Sequence, residues 1–217
     1  MTYCLLFDSD GTLVDSEAIN TEALADELHL QGIDEDKDVL LSRYRGWQFQ
    51  SVLTDLGKLH QRKLDQAFEG RFRARASDYF DERLEPIAHI DSALRQLHQI
   101  KCVASNAPMI KLRQVLGKTG LTGFFNDKLF SAYDISRFKP DPALFIHAAS
   151  EMGFEPSRCI VIEDSDVGVR AAISAGMKCV HYVPYEATSI ISQESGVRTI
   201  TDMRELPKAV GELEVHS

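Results

Sequence analysis

The chain has 217 residues, of which 44% are hydrophobic and 26% charged, a composition typical of a globular protein with one large or two small domains. Its formal net charge of −9 at pH 7 argues against a general nucleic-acid binder, which would carry a clustered basic surface. No apolar run approaches the ~18 residues that a membrane-spanning helix needs, and the first residues lack the pattern of an export signal.

The four cysteines, Cys4, Cys102, Cys159 and Cys179, each lie in an apolar run, and no two form a CxxC pair. This spacing favours reduced thiols in a hydrophobic core over disulfides or a zinc site. We therefore expect a cytoplasmic protein with neither nucleic-acid nor membrane partners, and we take a monomer as its expected state.

The first predicted strand, Tyr3–Phe7, is followed by a long segment of helical character. From Asp15 to about Arg83 we find no strand candidate, and about 65 residues is too long for a simple connection between strands. We therefore predict a helical cap at residues 15–83, inserted into an α/β catalytic core of residues 1–14 and 84–217. Linkers are expected near Asp15-Ser16 and near Asp81–Pro86. The apolar residues at helical spacing within the insertion include Ala23, Leu24, Leu28, Val52, Leu53, Leu56 and Leu59.

From residue 86 onward, short apolar strands alternate with amphipathic helices. Helices are predicted over Asp91–Ile100, after an opening Asp141-Pro142, and between Ser165 and Gly176. The alternation predicts an α/β fold with a doubly wound parallel sheet of the Rossmann type, ending in a frayed tail at Gly211–Ser217. The predicted strands of this part are Cys102–Ala104, Lys128–Phe130, Cys159–Ile162 and Cys179–Val183.

Polar motifs follow the predicted strands, at the edge where open α/β sheets bind ligands. They begin with Asp8–Leu13 after the first strand and Ser105-Asn106 after the second. Lys139-Pro140 lies on the loop after the third strand, and Glu163–Ser165 follows the fourth. Several carboxylates and one lysine are thus expected to converge on one rim of the sheet.

Such a cluster of carboxylates must protonate, separate or hold a cation, since like charges repel at short range. Oxygen ligands without Cys or His favour Mg²⁺ over zinc. Asp8 is the candidate nucleophile because a carboxylate is already ionised at pH 7, and Asp10 is the candidate acid and base. Ser105 and Lys139 are the candidate ligands of the transferred phosphoryl group.

Each motif also has a simpler structural interpretation. The Asp-rich segment after the first strand suits an ordinary turn. Ser105-Asn106 suits the N-cap of a helix starting at Pro108, and Glu163–Ser165 suits the cap of the next helix. Lys139 alone suits an exposed surface position. The order of the four motifs, each after a strand, favours the chemical interpretation.

The chain resembles the haloacid dehalogenase-like superfamily over essentially its whole length, and its insertion resembles the cap of the β-phosphoglucomutase-like branch. The resemblance implies that Asp8 is the nucleophile, Asp10 the acid and base, and that Ser105, Asn106 and Lys139 bind phosphate. It implies Mg²⁺ bound by Asp8, the backbone carbonyl of Asp10 and Asp164, with Glu163 either a ligand or a neighbour. The motifs that carry it are DSDGTLVDS at Asp8–Ser16, VASN at Val103–Asn106, FKPDP at Phe138–Pro142 and EDSDVG at Glu163–Gly168, continuing to Met177.

The resemblance also separates reactions. Dehalogenases of this superfamily lack the second aspartate of the first motif, so Asp10 indicates phosphoryl transfer. Sugar mutases usually carry a cap histidine near the position of Asn20, which favours a phosphatase while leaving a mutase as the alternative. A non-catalytic phosphate-responsive switch is a further alternative, since receiver domains place similar residues on a parallel sheet.

Residues 43–75 carry eight Lys/Arg against three Asp/Glu, a local excess of positive charge in an acidic chain. This excess is compatible with a solvated helix face. Within it, the segment RYRGW combines Arg43, Gly46 and Trp47, which suggests recognition of a small substrate with two anionic groups. The sequence thus predicts a Mg²⁺-dependent phosphatase of small sugar phosphates, with a small phosphorylated metabolite as its partner.

Overall fold

The computed structural model describes residues 2–44, 47–184 and 194–215. By its internal packing the chain forms two compact units, Met1–Val14 with Pro86–Ser217, and Asp15–Glu85. Among the described residues, no helix combines the length and the apolar character that crossing a membrane requires.

The first unit is built on a six-stranded sheet in the order β3-β2-β1-β4-β5-β6, with every neighbouring pair parallel. β1 and β4 are buried along their whole length, as expected for central strands covered on both faces. This architecture confirms the predicted α/β fold with a parallel sheet. The strands are β1 Cys4–Phe7, β2 Ile100–Ser105, β3 Leu129–Ser131, β4 Cys159–Glu163, β5 Lys178–Tyr182 and β6 Val197–Ile200.

The sixth strand was missed by the sequence analysis. In β6 the buried Val197 and Ile200 enclose the more exposed Arg198 and Thr199, because the strand lies at the edge of the sheet. Four residues with a polar centre lack the continuous apolar run that identified the other strands. The cysteines are all buried and free, as predicted, and Cys4 lies opposite Cys159 in the register of β1 and β4.

Helices flank the sheet, and they correct three predictions. The helix predicted to reach Ile100 stops at Gln96, and Ile100 opens β2. A short helix that was not predicted lies between β3 and the loop that carries Lys139. The supposed frayed tail is helical to Val215, because Leu213 is buried against the fold. The helices of this unit are α5 Ile90–Gln96, α6 Met109–Lys118, α7 Ala132–Ile135, α8 Ala143–Met152, α9 Asp166–Ser174 and α10 Leu206–Val215, with 3-10 turns at Thr122–Phe124, Pro156–Arg158 and Met203–Glu205.

The second unit is entirely helical over its described residues. α1 packs against α2 and α4, and the buried face of α4 is formed by phenylalanines and an alanine. α4 continues to Arg83, so the linker predicted to start at Asp81 was placed too early. Leu59, expected in the apolar face, is half exposed. The helices are α1 Glu17–His29, α2 Lys37–Tyr44, α3 Phe49–Leu59 and α4 Phe68–Arg83.

Candidate active site

Three carboxylates meet where β1 and β4 end. Asp8 directly follows β1, and its backbone N–H donates to the carbonyl of Ile162 in β4 at 2.9 Å. Glu163 closes β4 and Asp164 follows it. One oxygen from each of the three carboxylates lies within 4.8 Å of the others, and all three side chains are buried. Adjacent parallel strands of matched register therefore produce the convergence predicted from the motifs.

Lys139 joins two of these three carboxylates. Its Nζ donates to Asp8 Oδ1 at 2.6 Å and to Glu163 Oε1 at 2.7 Å, and it lies 4.7 Å from the centre of the Phe145 ring. Burial alone would lower the pKa of Lys139, but the two carboxylates outweigh it and hold the pKa above its ordinary value. Burial raises the pKa of Asp8 to about 7, against the opposing effect of Lys139. The simpler interpretation of Lys139 as an exposed surface residue is therefore wrong.

Glu163 is held by both of its oxygens. Oε1 accepts from Lys139, while Oε2 accepts from the backbone N–H of Ser165 at 2.8 Å and from its hydroxyl at 2.9 Å. Ser165 Oγ in turn accepts from the Gly168 N–H, which confirms it as the N-cap of α9. A Cβ at position 168 would collide with the Glu163 carboxylate, so the first turn of α9 leaves room for that carboxylate only because residue 168 is glycine.

The loop after β1 supports Asp164 from the other side. Thr12 is fully buried, and its hydroxyl donates to Asp164 Oδ1 at 3.1 Å. Gly11 has a φ of +80°, and a Cβ there would overlap the Asp164 carboxylate. The backbone can therefore approach that carboxylate closely only because position 11 has no side chain.

The donor set fits a divalent cation. Three buried carboxylates lie together here with one buried ammonium group, and such a concentration of acidic oxygens is unfavourable unless a cation is bound. All candidate ligand atoms are hard oxygens, and no sulfur or imidazole lies among them. Asp8, Asp164 and Glu163 are thus the side chains able to hold such a cation, although Glu163 is already committed to Lys139 and Ser165.

Ser105 and Asn106 lie at the end of β2, but neither caps a helix in the way the structural interpretation expected. The N-cap of α6 is Pro108, whose side chain makes no capping hydrogen bond. Ser105 Oγ accepts from the Ala107 N–H at 3.2 Å, and Asn106 Oδ1 accepts from the backbone N–H of Lys139 at 2.9 Å. Asn106 therefore fixes the loop that carries Lys139.

Asp10 has an ionic partner that the sequence analysis missed. Lys111, in the first turn of α6, places its Nζ 2.8 Å from both Oδ1 and Oδ2 of Asp10. Lys111 lies six residues beyond Ser105 and belongs to none of the four motifs. The sequence did offer one indication of this contact, since Lys111 lies in the first turn of a helix that starts at this edge of the sheet.

The candidate recognition residues belong to the helical unit. The Arg43 guanidinium lies 5.9 Å from the centre of the Tyr44 ring, and Trp47 packs edge-on against the same ring. Trp47 remains 46% exposed. Gly46 lies outside the described residues. Arg43 and Trp47 are therefore near one another, in a different unit from Asp8 and its neighbours.

Much of the basic charge between residues 43 and 75 is paired inside the helical unit. Arg71 and Arg75 both donate to Glu27, which is 2% exposed. Arg73 pairs with Glu69 one helical turn earlier, and Arg62 donates to the carbonyl of Gln31. The local excess of positive charge in the sequence is thus mainly structural in this part of the chain, and it is not a broad anion-binding face.

Comparison with known proteins gives matches over nearly the whole chain. The family described as haloacid dehalogenase-like hydrolase matches residues 4–176. A 6-phosphogluconate phosphatase from Escherichia coli is 35% identical over 205 residues, which cover 94% of this chain and 92% of that protein. A validoxylamine A 7'-phosphate phosphatase from Streptomyces hygroscopicus is 30% identical over 207 residues, which cover 92% of this chain and 94% of that protein.

The fold has equally extensive counterparts among solved structures. A haloacid dehalogenase-like protein of unknown function from Agrobacterium tumefaciens superposes with a TM-score of 0.84 at 25% identity. The match covers 99% of this chain and all of that one. The similarity therefore includes both units of the chain.

Proposed function

The chain belongs to the haloacid dehalogenase-like hydrolases and is a phosphoric monoester hydrolase, and from this premise we propose that it hydrolyses a small sugar phosphate through an aspartyl-phosphate on Asp8. The observation that carries the proposal is the buried carboxylate of Asp8 at the end of β1, in contact with Lys139 and beside two further acids. An isolated buried acid would be neutralised, whereas this one is kept beside a fixed cation.

The reaction is proposed in two steps that share one site. In the first, a carboxylate oxygen of Asp8 bonds to phosphorus while the bond from phosphorus to the sugar oxygen breaks, and Asp10 gives that oxygen a proton. In the second, water bonds to phosphorus and gives its proton to Asp10, and the acyl-phosphate bond breaks to release phosphate and regenerate Asp8. Lys139 and Ser105 would bind the phosphoryl oxygens, and Asn106 would hold the Lys139 loop in place.

Mg²⁺ is the proposed cofactor, held by Asp8, Asp164 and the backbone carbonyl of Asp10, with Glu163 as a neighbour that positions Lys139. When bound, it would supply positive charge that offsets repulsion between the Asp8 carboxylate and the phosphate oxygens. Three buried carboxylates within reach of one another support a divalent over a monovalent ion.

6-Phosphogluconate is the substrate that we propose to test first. The E. coli relative named 6-phosphogluconate phosphatase supports this choice. Arg43, with Trp47 nearby, also supports it, because a guanidinium group would suit the carboxylate of a small polyol. We assign residues 15–83 the role of a substrate-reading cap, with Gly46 as part of the recognition segment. The free, buried thiols support the proposed cytoplasmic location, and a monomer remains the proposed state.

The test is a panel of phosphate esters, including 6-phosphogluconate, with Mg²⁺ and after its removal by EDTA. We expect release of inorganic phosphate that disappears with EDTA and returns with Mg²⁺, with 6-phosphogluconate among the best substrates by kcat/KM. Undiminished turnover after complete metal removal would contradict the metal assignment. Absence of phosphate release from every ester would contradict the function.

The same panel distinguishes a phosphatase from the alternative mutase. Supplied with a hexose 1-phosphate, a mutase yields the 6-phosphate, whereas the proposed phosphatase yields free sugar and phosphate. Asn20, on α1 near the place where sugar mutases carry a histidine, supports hydrolysis.

A further inference from the structure

We propose that Lys111 is a positioning residue that acts through Asp10, holding its carboxylate ready to accept the proton of the attacking water. The inference rests on the proposed phosphatase function. Lys111 contacts the Asp10 carboxylate directly, so its effect would be exerted through Asp10.

The contact is symmetric. Nζ of Lys111 lies 2.8 Å from each oxygen of the Asp10 carboxylate. A charge-assisted contact to both oxygens holds the end of the carboxylate in place more firmly than a hydrogen bond to one oxygen does. The side chains are 16% and 26% exposed, so surrounding water screens the pair less than it screens a surface ion pair.

Both partners are attached to fixed backbone. The start of α6 is held by Ser131, whose hydroxyl donates to the carbonyl of Ala107 at 2.7 Å, and by Leu112, which is fully buried beside Lys111. Asp10 lies in a tight turn closed by the Gly11 N–H donating to the carbonyl of Val14 at 2.9 Å. The ion pair therefore joins two rigid segments, which is what precise placement of a proton acceptor requires.

The two halves of the reaction use Asp10 differently. In the first step, Asp10 gives a proton to the leaving oxygen, which a leaving group that is stable as an anion does not require. In the second step, water bonds to phosphorus, the acyl-phosphate bond to Asp8 breaks, and Asp10 takes the proton of the water. With such a leaving group, Lys111 should thus matter mainly for breakdown of the aspartyl-phosphate.

The experiment uses 2,4-dinitrophenyl phosphate, whose leaving group needs no proton, with wild type, Lys111→Met and Lys111→Arg. For Lys111→Met we expect kcat to fall about 10- to 100-fold and KM to fall with it, leaving kcat/KM within about threefold. Rapid mixing should show a burst of dinitrophenolate, and acid quenching should trap phosphorylated protein. Lys111→Arg should recover most of kcat. Lys118→Met, an exposed lysine at the other end of α6, is the matched control and should behave as wild type.

The remaining outcomes overturn the inference. A rise in KM at unchanged kcat would make Lys111 a substrate ligand. An equal loss of kcat and kcat/KM without a burst, or no recovery in Lys111→Arg, would make its role structural. If wild type itself releases no phosphate from any ester, the proposed function fails as well. A wild type that turns over while Lys111→Met accumulates no phosphoenzyme defeats this inference alone.

Discussion

The two units each bury a cluster of opposite charges, and the clusters differ in how those charges balance. In the helical unit, Glu27 is buried beneath Arg71 and Arg75, and Arg71 also forms two hydrogen bonds with Asp65. Two acids face two guanidinium groups, and both arginines extend partly into solvent. In the sheet unit, three buried acids face one buried ammonium group.

The difference separates a structural network from a site that awaits a ligand. The helical network is neutral, and it links α1 to α4 through Glu27, so its components satisfy one another. The sheet cluster brings three buried acids together with one ammonium group, and desolvation makes that imbalance unfavourable unless a cation is bound. Folding alone gives no reason to retain such an imbalance, whereas binding of a divalent cation does.

The largest expected effect comes from replacing the nucleophile. Asp8→Asn should lower kcat by at least about 1000-fold, because the amide cannot form the acyl phosphate. Its melting temperature without added metal should equal or exceed that of wild type, since one of three mutually repelling carboxylates is removed. Steady-state phosphate release and thermal unfolding measure the two quantities. Retention of more than a few per cent of wild-type activity would refute covalent catalysis by Asp8.

Replacing Lys139 tests directly whether the excess of buried acids over bases affects activity and stability. Lys139→Met should lower kcat roughly 100- to 1000-fold, comparable to removing one charge-stabilising group from a site of this kind. It should also lower the melting temperature, because three buried carboxylates then lack their ammonium partner, and a divalent cation should restore part of that loss. Activity and unfolding are compared with those of Lys118→Met. If Lys139→Met were as stable as wild type in EDTA, the proposed difference in charge balance between the two clusters would be contradicted.

The helical network should show the opposite response. Glu27→Gln should destabilise the fold by roughly 1–3 kcal/mol, since two guanidinium groups lose their shared buried acceptor charge. It should leave kcat for a small aryl phosphate within about twofold, because the network contributes no group to the chemistry. Urea unfolding and aryl phosphate hydrolysis provide the readouts. A tenfold loss of kcat with unaltered stability would mean that the network is part of the catalytic apparatus.

The smallest effect is expected at an exposed pair. Arg95 and Asp91 on α5 form a salt bridge whose side chains are 69% and 51% exposed. Arg95→Gln should shift the melting temperature by less than about 1 °C, because solvent screens such pairs. Calorimetry is sufficient to detect a larger change. A shift as large as that of Glu27→Gln would show that burial is not what distinguishes these networks.

The sequence predicted the parts of the site that follow directly from strand order. Asp8 and Asp164 come straight after neighbouring strands, so parallel pairing alone brings them together. The contacts of Lys139 depended in addition on α7 and on Asn106, neither of which was foreseen in that role. Lys111 was missed because its partner is 101 residues away, and no local pattern records such a pairing.

Composition alone could not identify the partners of the basic residues between positions 43 and 75. Arg71 and Arg75 both donate to Glu27, which lies on another helix. Their partner lies 44 and 48 residues earlier in the chain. Edge strand β6 was missed for a related reason, since its polar centre becomes strand-like only through pairing with β5.

Gly168 shows how a residue without functional groups can be indispensable to chemistry. It carries no charge and contacts no proposed ligand, yet any side chain there would displace Glu163 and with it the second anchor of Lys139. Substitution of Gly168, the smallest residue of α9, can therefore inactivate this enzyme. Surveys of natural variation that score only the charged positions would classify such a protein as intact.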